Sequence, residues 1–541
     1  MEVKYTPSFR NNPEPHSSGI RNLELGISPN SQPLIPNSEP RVKYIPSRFR
    51  NPISKYILKR NSACIKCGTC VRVCQFGVHP VRESWNKNLS REIEFSNGVH
   101  KIYAASPCRP KEALCIGEAC PDKCIDSCPQ NALTLKSNPA FCALGDYRWT
   151  PDLILSTWHQ AETGQLPPAH LEYKTGASGG GFDKLELVFP KEVEEILDED
   201  VSTAISLNRS DEKRPKVEID VPWYGGGMSF GSTALNVMVA RARAALLTNT
   251  FICTGEGGYP DALIPYDDHI ITQIATGLFG VREETIQRVR IVEFKYAQGA
   301  KPGLGGHLLG EKVTPEVAKM REAVVGSSLF SPFPFHSVYS VEDHKKHVDW
   351  IREVNPKGLV SVKVSTPTDV DMVAVGIYCG GAHIIHIDGS YGGTGAAPNI
   401  AKKNIAMPIE YAIPKVHKFL CEEGIRDKIT LIASGGIRTA YDIAKAIALG
   451  ADGCVIGTAE LIALECVKCG NCESGRGCVR GIATTDPVFS KEIDIDWATQ
   501  RLINLYSSWR IQLVGILKKL GMRSIRELVG RRDCLRHLDY Q

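Results

Sequence analysis

From Val221 onward the chain repeats one pattern, in which a short apolar run ends in glycine and a helical stretch follows. Val360-Ser-Val-Lys-Val364, His383-Ile-Ile-His-Ile387, Thr430-Leu-Ile-Ala433 and Cys454-Val-Ile-Gly457 read as strands buried on both faces. Between the last two lies an amphipathic helix, Thr439–Leu449. Parallel strands need long crossovers, so strand, glycine loop, helix, strand is the rhythm of a parallel sheet. Roughly 300 residues of this rhythm point to an α/β fold, a (β/α)8 TIM-type barrel. A doubly wound sheet is the alternative, but no Gly-x-Gly-x-x-Gly turn follows any strand.

The boundaries follow from shifts in composition. Residues 1–60 are rich in Pro, Asn, Ser and Arg and read as an extended arm. Residues 61–145 are cysteine-dense, and 146–220 form a linker and barrel-capping segment with a glycine run at Gly176–Gly181. The barrel occupies 221–490, and 491–541 reads as helices, Ser524-Ile-Arg-Glu-Leu-Val529 among them. At 541 residues and 43% hydrophobic content the chain can build a large core. A net charge of +4 with no basic block speaks against a nucleic-acid partner. No apolar run reaches the ~18 residues of a membrane span. The polar N-terminus, with no apolar stretch of a secretory signal, makes the cytoplasm the expected location.

In such a chain nineteen cysteines point to metal ligation rather than disulfides. Cys64, Cys67, Cys70 and Cys74 have the spacing with which bacterial ferredoxins wrap an iron–sulfur cubane. Cys115, Cys120, Cys124 and Cys128, followed by Pro129, form a second, stretched motif, in which Cys108 could replace Cys115. Zinc is the rival for these thiols, but eight in this order favour two clusters in a ferredoxin-like α+β domain. Cys466, Cys469, Cys472 and Cys478 form a third group just after the last barrel strand. Cys253, Cys379, Cys421, Cys454 and Cys534 read as ordinary thiols, and Cys142 as a bystander.

Six segments then carry a family resemblance. They are Gly226-Gly-Met-Ser-Phe-Gly231, Thr254-Gly-Glu-Gly-Gly258, Gln273-Ile-Ala-Thr-Gly-Leu-Phe-Gly280, Glu293-Phe-Lys-Tyr-Ala-Gln-Gly-Ala-Lys-Pro-Gly-Leu-Gly-Gly306, Asp388-Gly-Ser-Tyr-Gly-Gly-Thr-Gly395 and Ser434-Gly-Gly-Ile-Arg438. In this order they resemble the synthase domain of the glutamate synthase family, large-subunit type. Gly481-Ile-Ala-Thr-Thr-Asp-Pro487 resembles the family's tail behind a three-cysteine cluster loop. The resemblance implies FMN on Gly227, Met228, Ser229, Gln273, Gln298 and Asp388, with its phosphate on Gly435, Gly436, Gly457 and Thr458. Lys295 or Lys363 would stand near N1/O2 of the ring. It implies a keto-acid clamp of Lys301 and Arg321, with His307 where the family has glutamine and Glu256 on the ammonia side. It further implies two N-terminal 4Fe-4S clusters. Cys64, Cys67, Cys70 and Cys128 would hold one, and Cys74, Cys115, Cys120 and Cys124 the other. The Cys466–Cys478 loop would hold a 3Fe-4S cluster, or a 4Fe-4S cluster with Cys469 as fourth ligand.

The implied activity is an iron–sulfur flavoprotein oxidoreductase that makes L-glutamate from 2-oxoglutarate and ammonia through 2-iminoglutarate. The sequence has no N-terminal cysteine nucleophile and no NAD(P)H-binding turn. Ferredoxin or an NAD(P)H-oxidising flavoprotein subunit is therefore the expected electron donor, a separate glutaminase subunit a candidate ammonia source, and an oligomer or complex the working form. A second reading keeps the cofactors in an electron-transfer subunit of a larger redox complex, with another substrate or none. Leu304, His307, Tyr259 and Phe335, which depart from the family pattern around the pocket, favour it.

The cluster reading predicts about eight iron atoms per chain from the two N-terminal motifs and about three or four from the C-terminal loop. Iron and sulfide assays on anaerobically purified protein check this; about two iron atoms or fewer would reject it.

Overall fold

Eight short runs of β-branched and aliphatic residues close into a barrel in the computed structural model. They are β1 (Trp223–Gly225), β2 (Ile252–Cys253), β3 (Ile270–Ala275), β4 (Ile291–Lys295), β5 (Leu359–Ser365), β6 (Ile384–Asp388), β7 (Thr430–Ser434) and β8 (Gly453–Ile456). Each pairs in parallel with its neighbours in chain order, and β8 closes on β1. The structure describes residues 41–48, 54–79, 90–95, 98–103, 110, 112–117, 120–176, 181–209, 214–394, 397, 399–473 and 477–540. Residues 1–40 of the expected arm, and Cys108, lie outside them. All described residues belong to one compact unit.

Side chains alternate in and out along each strand. Outward, Val292 and Phe294 of β4 and Val360 and Val362 of β5 are buried under the surrounding helices. Inward, the register sets Glu293 beside Gln273 and Ser361, Lys363 beside Lys295 and His386, and Asp388 beside Ser434. The barrel interior is therefore polar towards the C-terminal ends of its strands.

The outer helices include α1 (Pro151–Thr163), α2 (Leu235–Leu247), α3 (Pro315–Arg321), α4 (Ala440–Leu449), α5 (Thr458–Ala463) and α6 (Ile495–Leu520). Side-chain caps mark several starts, as where Thr439 accepts from the Asp442 N–H and Asp494 from the Trp497 N–H. The long α6 packs on α1 and α2. Its Tyr506 and Trp509 meet the fully buried Trp223 edge-on, with ring centroids 6.0 and 5.9 Å away. The chain end is not all helical: Leu535–His537 forms a strand antiparallel to Leu185–Leu187 of the capping segment.

The cysteine-rich module begins before residue 61. Tyr56–Arg60 pairs antiparallel with Leu133–Ser137, so these residues belong with the module rather than with the arm. Asn504 and Trp497 of α6 donate to the carbonyls of Lys43 and Pro46, so these residues lie against that helix. Among the described residues no helix is long and apolar enough to cross a membrane.

One buried ion pair joins the first and last barrel loops. Arg241 of α2 and Glu460 of α5 are both fully buried and 2.8 Å apart. Arg241 also donates to the Gly226 carbonyl at 2.7 Å, and Tyr506 donates to Glu460 at 2.5 Å. Removing one charge strands the other in a dry interior. Glu460→Ala is expected to lose about 3–5 kcal/mol of stability, read as a lower unfolding midpoint; Glu460→Gln, which keeps an acceptor, should lose less. Equal midpoints for all three proteins would overturn this.

Candidate active site

The C-terminal ends of the barrel strands open into a cavity of about 270 Å³. Every strand or the loop behind it contributes. Gly227, Met228 and Ser229 come from the loop after β1, Glu256 from that after β2, and Gln273 from β3. β4 and its loop supply Lys295, Gln298, Lys301 and His307, and α3 supplies Arg321. Lys363 and Asp388 come from β5 and β6, Gly435 and Gly436 follow β7, and Gly457 and Thr458 follow β8. All the residues expected to bind the cofactor or the keto acid thus line one cavity. Cys472 joins them and brings the C-terminal cysteine loop to its wall.

Glycine is needed here for close approach. A Cβ on Gly306 would stand 1.3 Å from the Glu256 carboxylate. Gly435 has φ 96°, and a Cβ there would meet the Gly389 carbonyl oxygen at 2.4 Å.

The lining is rich in cations. Lys295 pairs with Glu256 at 3.5 Å and Lys363 with Asp388 at 3.2 Å. Burial opposes the Glu256 charge, yet Lys295, Lys301 and Arg321 together hold its pKa below the usual carboxylate value. Burial also works against Lys363, but Asp388 and Glu293 outweigh it and raise its pKa. Lys301 is different: burial, with Lys295 close by, lowers it to about 8. Arg321 is 5% exposed, so it is no surface helix residue. It donates to the Ser229 hydroxyl and the Phe230 carbonyl, both at 3.0 Å, and its Nε is buried with no partner. A buried guanidinium N–H on a cavity wall calls for an acceptor.

Of the residues that depart from the family pattern, His307 is the one on the cavity wall. It stacks on Phe330 and meets Glu473 at 3.1 Å. Tyr259 points away to Asp267, and Phe335 packs on Phe294 and Tyr296. Leu304 is exposed.

Sequence reasoning missed Trp149, Lys312 and Glu473, which also line the cavity, and assigned no role to Tyr391, Thr394 and Ser434 within the segments it did mark. It also missed Glu293 and His386, buried behind it. Their signal was a polar residue at every second position of an otherwise apolar strand.

The N-terminal thiols stand around two separate hollows. Cys64, Cys67, Cys70 and Cys128 line one of about 40 Å³, and Cys74, Cys115, Cys120 and Cys124 line one of about 250 Å³. Among the described residues no three His, Cys, Asp or Glu side chains are arranged to hold a single metal ion. In the C-terminal loop the Cys466 thiol is pushed up to about 11 by burial, with Cys472 and Cys478 close enough to add to it. Cys469 is exposed. The Gly145 N–H donates to the Val467 carbonyl at 3.1 Å, and Lys468 pairs with Asp146 at 3.3 Å, so the end of the N-terminal module is bonded to this loop.

Residues 183–523 match the family region described as the conserved region in glutamate synthase. The chain is 36% identical over 513 residues to the archaeal-type glutamate synthase [NADPH] of Dehalococcoides mccartyi, covering 89% of this chain and 95% of that one. It is 35% identical over 530 residues to the archaeal glutamate synthase [NADPH] of Methanocaldococcus jannaschii, covering 91% and 96%. The glutamate synthase [NADPH] large chain of Azospirillum brasilense is 36% identical over 288 residues, 52% of this chain and 19% of that one. The match spans the barrel and its cavity and, in the first two relatives, reaches beyond it over most of the chain; the protein belongs to the glutamate synthase family and is an oxidoreductase of that type.

Proposed function

We propose that the cavity holds FMN and that the chain makes L-glutamate from 2-oxoglutarate and ammonia with electrons passed inward through iron–sulfur clusters. The observation that carries this is the buried, partnerless Arg321 Nε beside Lys301 on the wall of a cation-rich cavity. Such a wall suits a dicarboxylate and a phosphate-bearing cofactor.

The residues fit FMN. Gly435, Gly436, Gly457 and Thr458 offer backbone that a phosphate can approach. Lys363 or Lys295 offers a cation to the ring. FMN, when bound, supplies hydride transfer. Lys301 and Arg321 would hold the two carboxylates of the keto acid, and Glu256, kept charged by Lys295, would face the ammonia side. His307, braced by Phe330 and Glu473, would close the rim. Imine formation from keto acid and ammonia releases water, and its reduction consumes two electrons and two protons.

Thiols spread around a hollow suit a cluster better than a point-like zinc ion. Cys64, Cys67, Cys70 and Cys128 would bind one 4Fe-4S cluster, and Cys74, Cys115, Cys120 and Cys124 the other. Cys466, Cys472 and Cys478 are partly buried and mutually close, and the exposed Cys469 is close to Cys472, so the loop would hold a 3Fe-4S cluster on three thiolates or a 4Fe-4S cluster with Cys469 as fourth ligand. A ferredoxin or a flavoprotein subunit would supply electrons at the N-terminal module. Ammonia would come from solution or from a separate glutaminase.

Anaerobic photoreduction followed by 2-oxoglutarate and ammonium should reoxidise the flavin and yield glutamate. A flavin that stays reduced with its clusters intact would sink the activity. Arg321→Ala should weaken turnover by about 10- to 100-fold, the value of charge-assisted hydrogen bonds; full activity in that variant refutes the clamp.

Lys301 also sets a pH dependence. Its charge is lost as pH rises through about 8, so 2-oxoglutarate should bind more weakly above that pH. Lys301→Arg should remove the decline, because arginine stays charged. Affinities that do not change between neutral and alkaline pH would count against Lys301 as a carboxylate ligand.

A further inference from the structure

From Lys363, Asp388 and Ser434 on the cavity wall a chain of hydrogen bonds runs back to Glu293 and His386, which the clamp and the cofactor site do not use. Glu293 is 1% exposed and His386 is 2% exposed, both inside the barrel. Glu293 accepts from Gln273 Nε2 at 2.7 Å on one oxygen, and from Ser361 Oγ at 3.1 Å on the other. His386 Nδ1 lies 2.9 Å from that second oxygen, and His386 Nε2 lies 2.7 Å from Ser434 Oγ. Ser434 donates to Asp388 Oδ1 at 2.6 Å. The other Asp388 oxygen receives the Gly299 N–H at 3.0 Å and Lys363 Nζ at 3.2 Å.

Counting donors assigns the protons. A carboxylate only accepts, so His386 Nδ1 carries a proton and donates it in a hydrogen bond to Glu293. The single Ser434 proton is committed to Asp388, so Ser434 Oγ must accept from His386 Nε2. Both ring nitrogens then carry protons, and His386 is an imidazolium between two carboxylates. With Glu293 held as a carboxylate, the same heavy atoms allow one other arrangement: Asp388 protonated, Ser434 donating to Nε2, and His386 neutral. One proton displaced through one hydroxyl separates the two.

We propose that His386, Ser434 and Asp388 form an internal proton relay that lets Lys363 act as an acid towards a group gaining an electron pair in the cavity. An Nζ–H bond of Lys363 breaks and its proton goes to that group. Asp388, its cation partner gone, takes the Ser434 proton on Oδ1, and Ser434 takes the Nε2 proton of His386. Lys363, Asp388 and His386 all end neutral, and the cavity gains one positive charge. Without His386, release by Lys363 would leave Asp388 with no counter-charge; the relay leaves the remaining charge on Glu293 instead, which keeps its hydrogen bonds from Gln273, Ser361 and His386 Nδ1. The groups facing this relay come from every surrounding strand that reaches it. Ser361 and Lys363 come from β5, Glu293 from β4, Ser434 from β7 and Asp388 from β6 itself. The Tyr224 ring of β1 lies 6.5 Å from the His386 ring, while Gln273 of β3 and Cys253 of β2 contact Glu293.

The relay rests on the proposed FMN site, and the test separates the two. Flavin is first counted in the purified protein, and its absence there removes the FMN reading. With flavin bound, its midpoint potential is measured against pH through the neutral range. The relay supplies the proton internally, so the wild-type potential should be independent of pH. In His386→Gln the proton must come from solvent, so the potential should fall as pH rises. Ser434→Ala keeps His386 but cuts the path and should show the same slope; it decides alone if His386→Gln does not fold. A merely structural role would weaken flavin binding in both variants and leave the slope as in the wild type. Equal slopes in all three proteins overturn the proposal.

Discussion

The interior of a closed parallel barrel is filled by packed side chains, so any ion buried in it must be balanced there. This constraint organises the whole site. Glu293 and Asp388 are buried carboxylates, and burial alone would push both towards their neutral forms. His386 and Lys363 reverse this: Glu293 falls to about 2, and Asp388 also lies below its usual value. The balance places Lys363 at the cavity wall, and Lys363 in turn fixes where an anion can sit. The same rule holds one layer out, where Arg241 and Glu460 neutralise each other while holding the Gly226 loop against α5.

The cavity floor is thus neutral as a unit, but its rim is not. Among the described residues, Lys295, Lys301, Lys312 and Arg321 are met around the opening by the two acids Glu256 and Glu473. The surplus of positive charge suits anionic ligands. The cysteine loop is tied into this rim: Lys312 donates to the Cys472 and Ala483 carbonyls, and Glu473 meets His307. On its far side the loop is bonded to the end of the N-terminal module through Val467 and Lys468. The module, the loop and the cavity therefore follow one another through direct contacts.

Much of this was legible in the chain alone. The strand–glycine–helix rhythm determined a parallel barrel, because short buried runs with long crossovers have few other ways to close. Cysteine spacing marked three thiol-rich stretches, and the fold sets the thiols of the first two around separate hollows, with Cys128 beside Cys64 and Cys74 beside Cys115. The glycine-rich segments marked the cavity loops, because a side chain at Gly306 or Gly435 would strike a neighbour. The final residues misled, since Leu535–His537 reads as part of a helical tail and becomes a strand only when Leu185–Leu187 offers its edge. Only the tertiary structure could decide which polar residues meet. Glu293, His386, Ser434 and Asp388 lie on three strands far apart in sequence, and their register brings them into one line of hydrogen bonds. It also decided that Tyr259 and Phe335 turn away from the cavity while His307 faces it. Local spacing tells which face of an element a residue occupies, but what that face looks onto depends on the closure of the barrel.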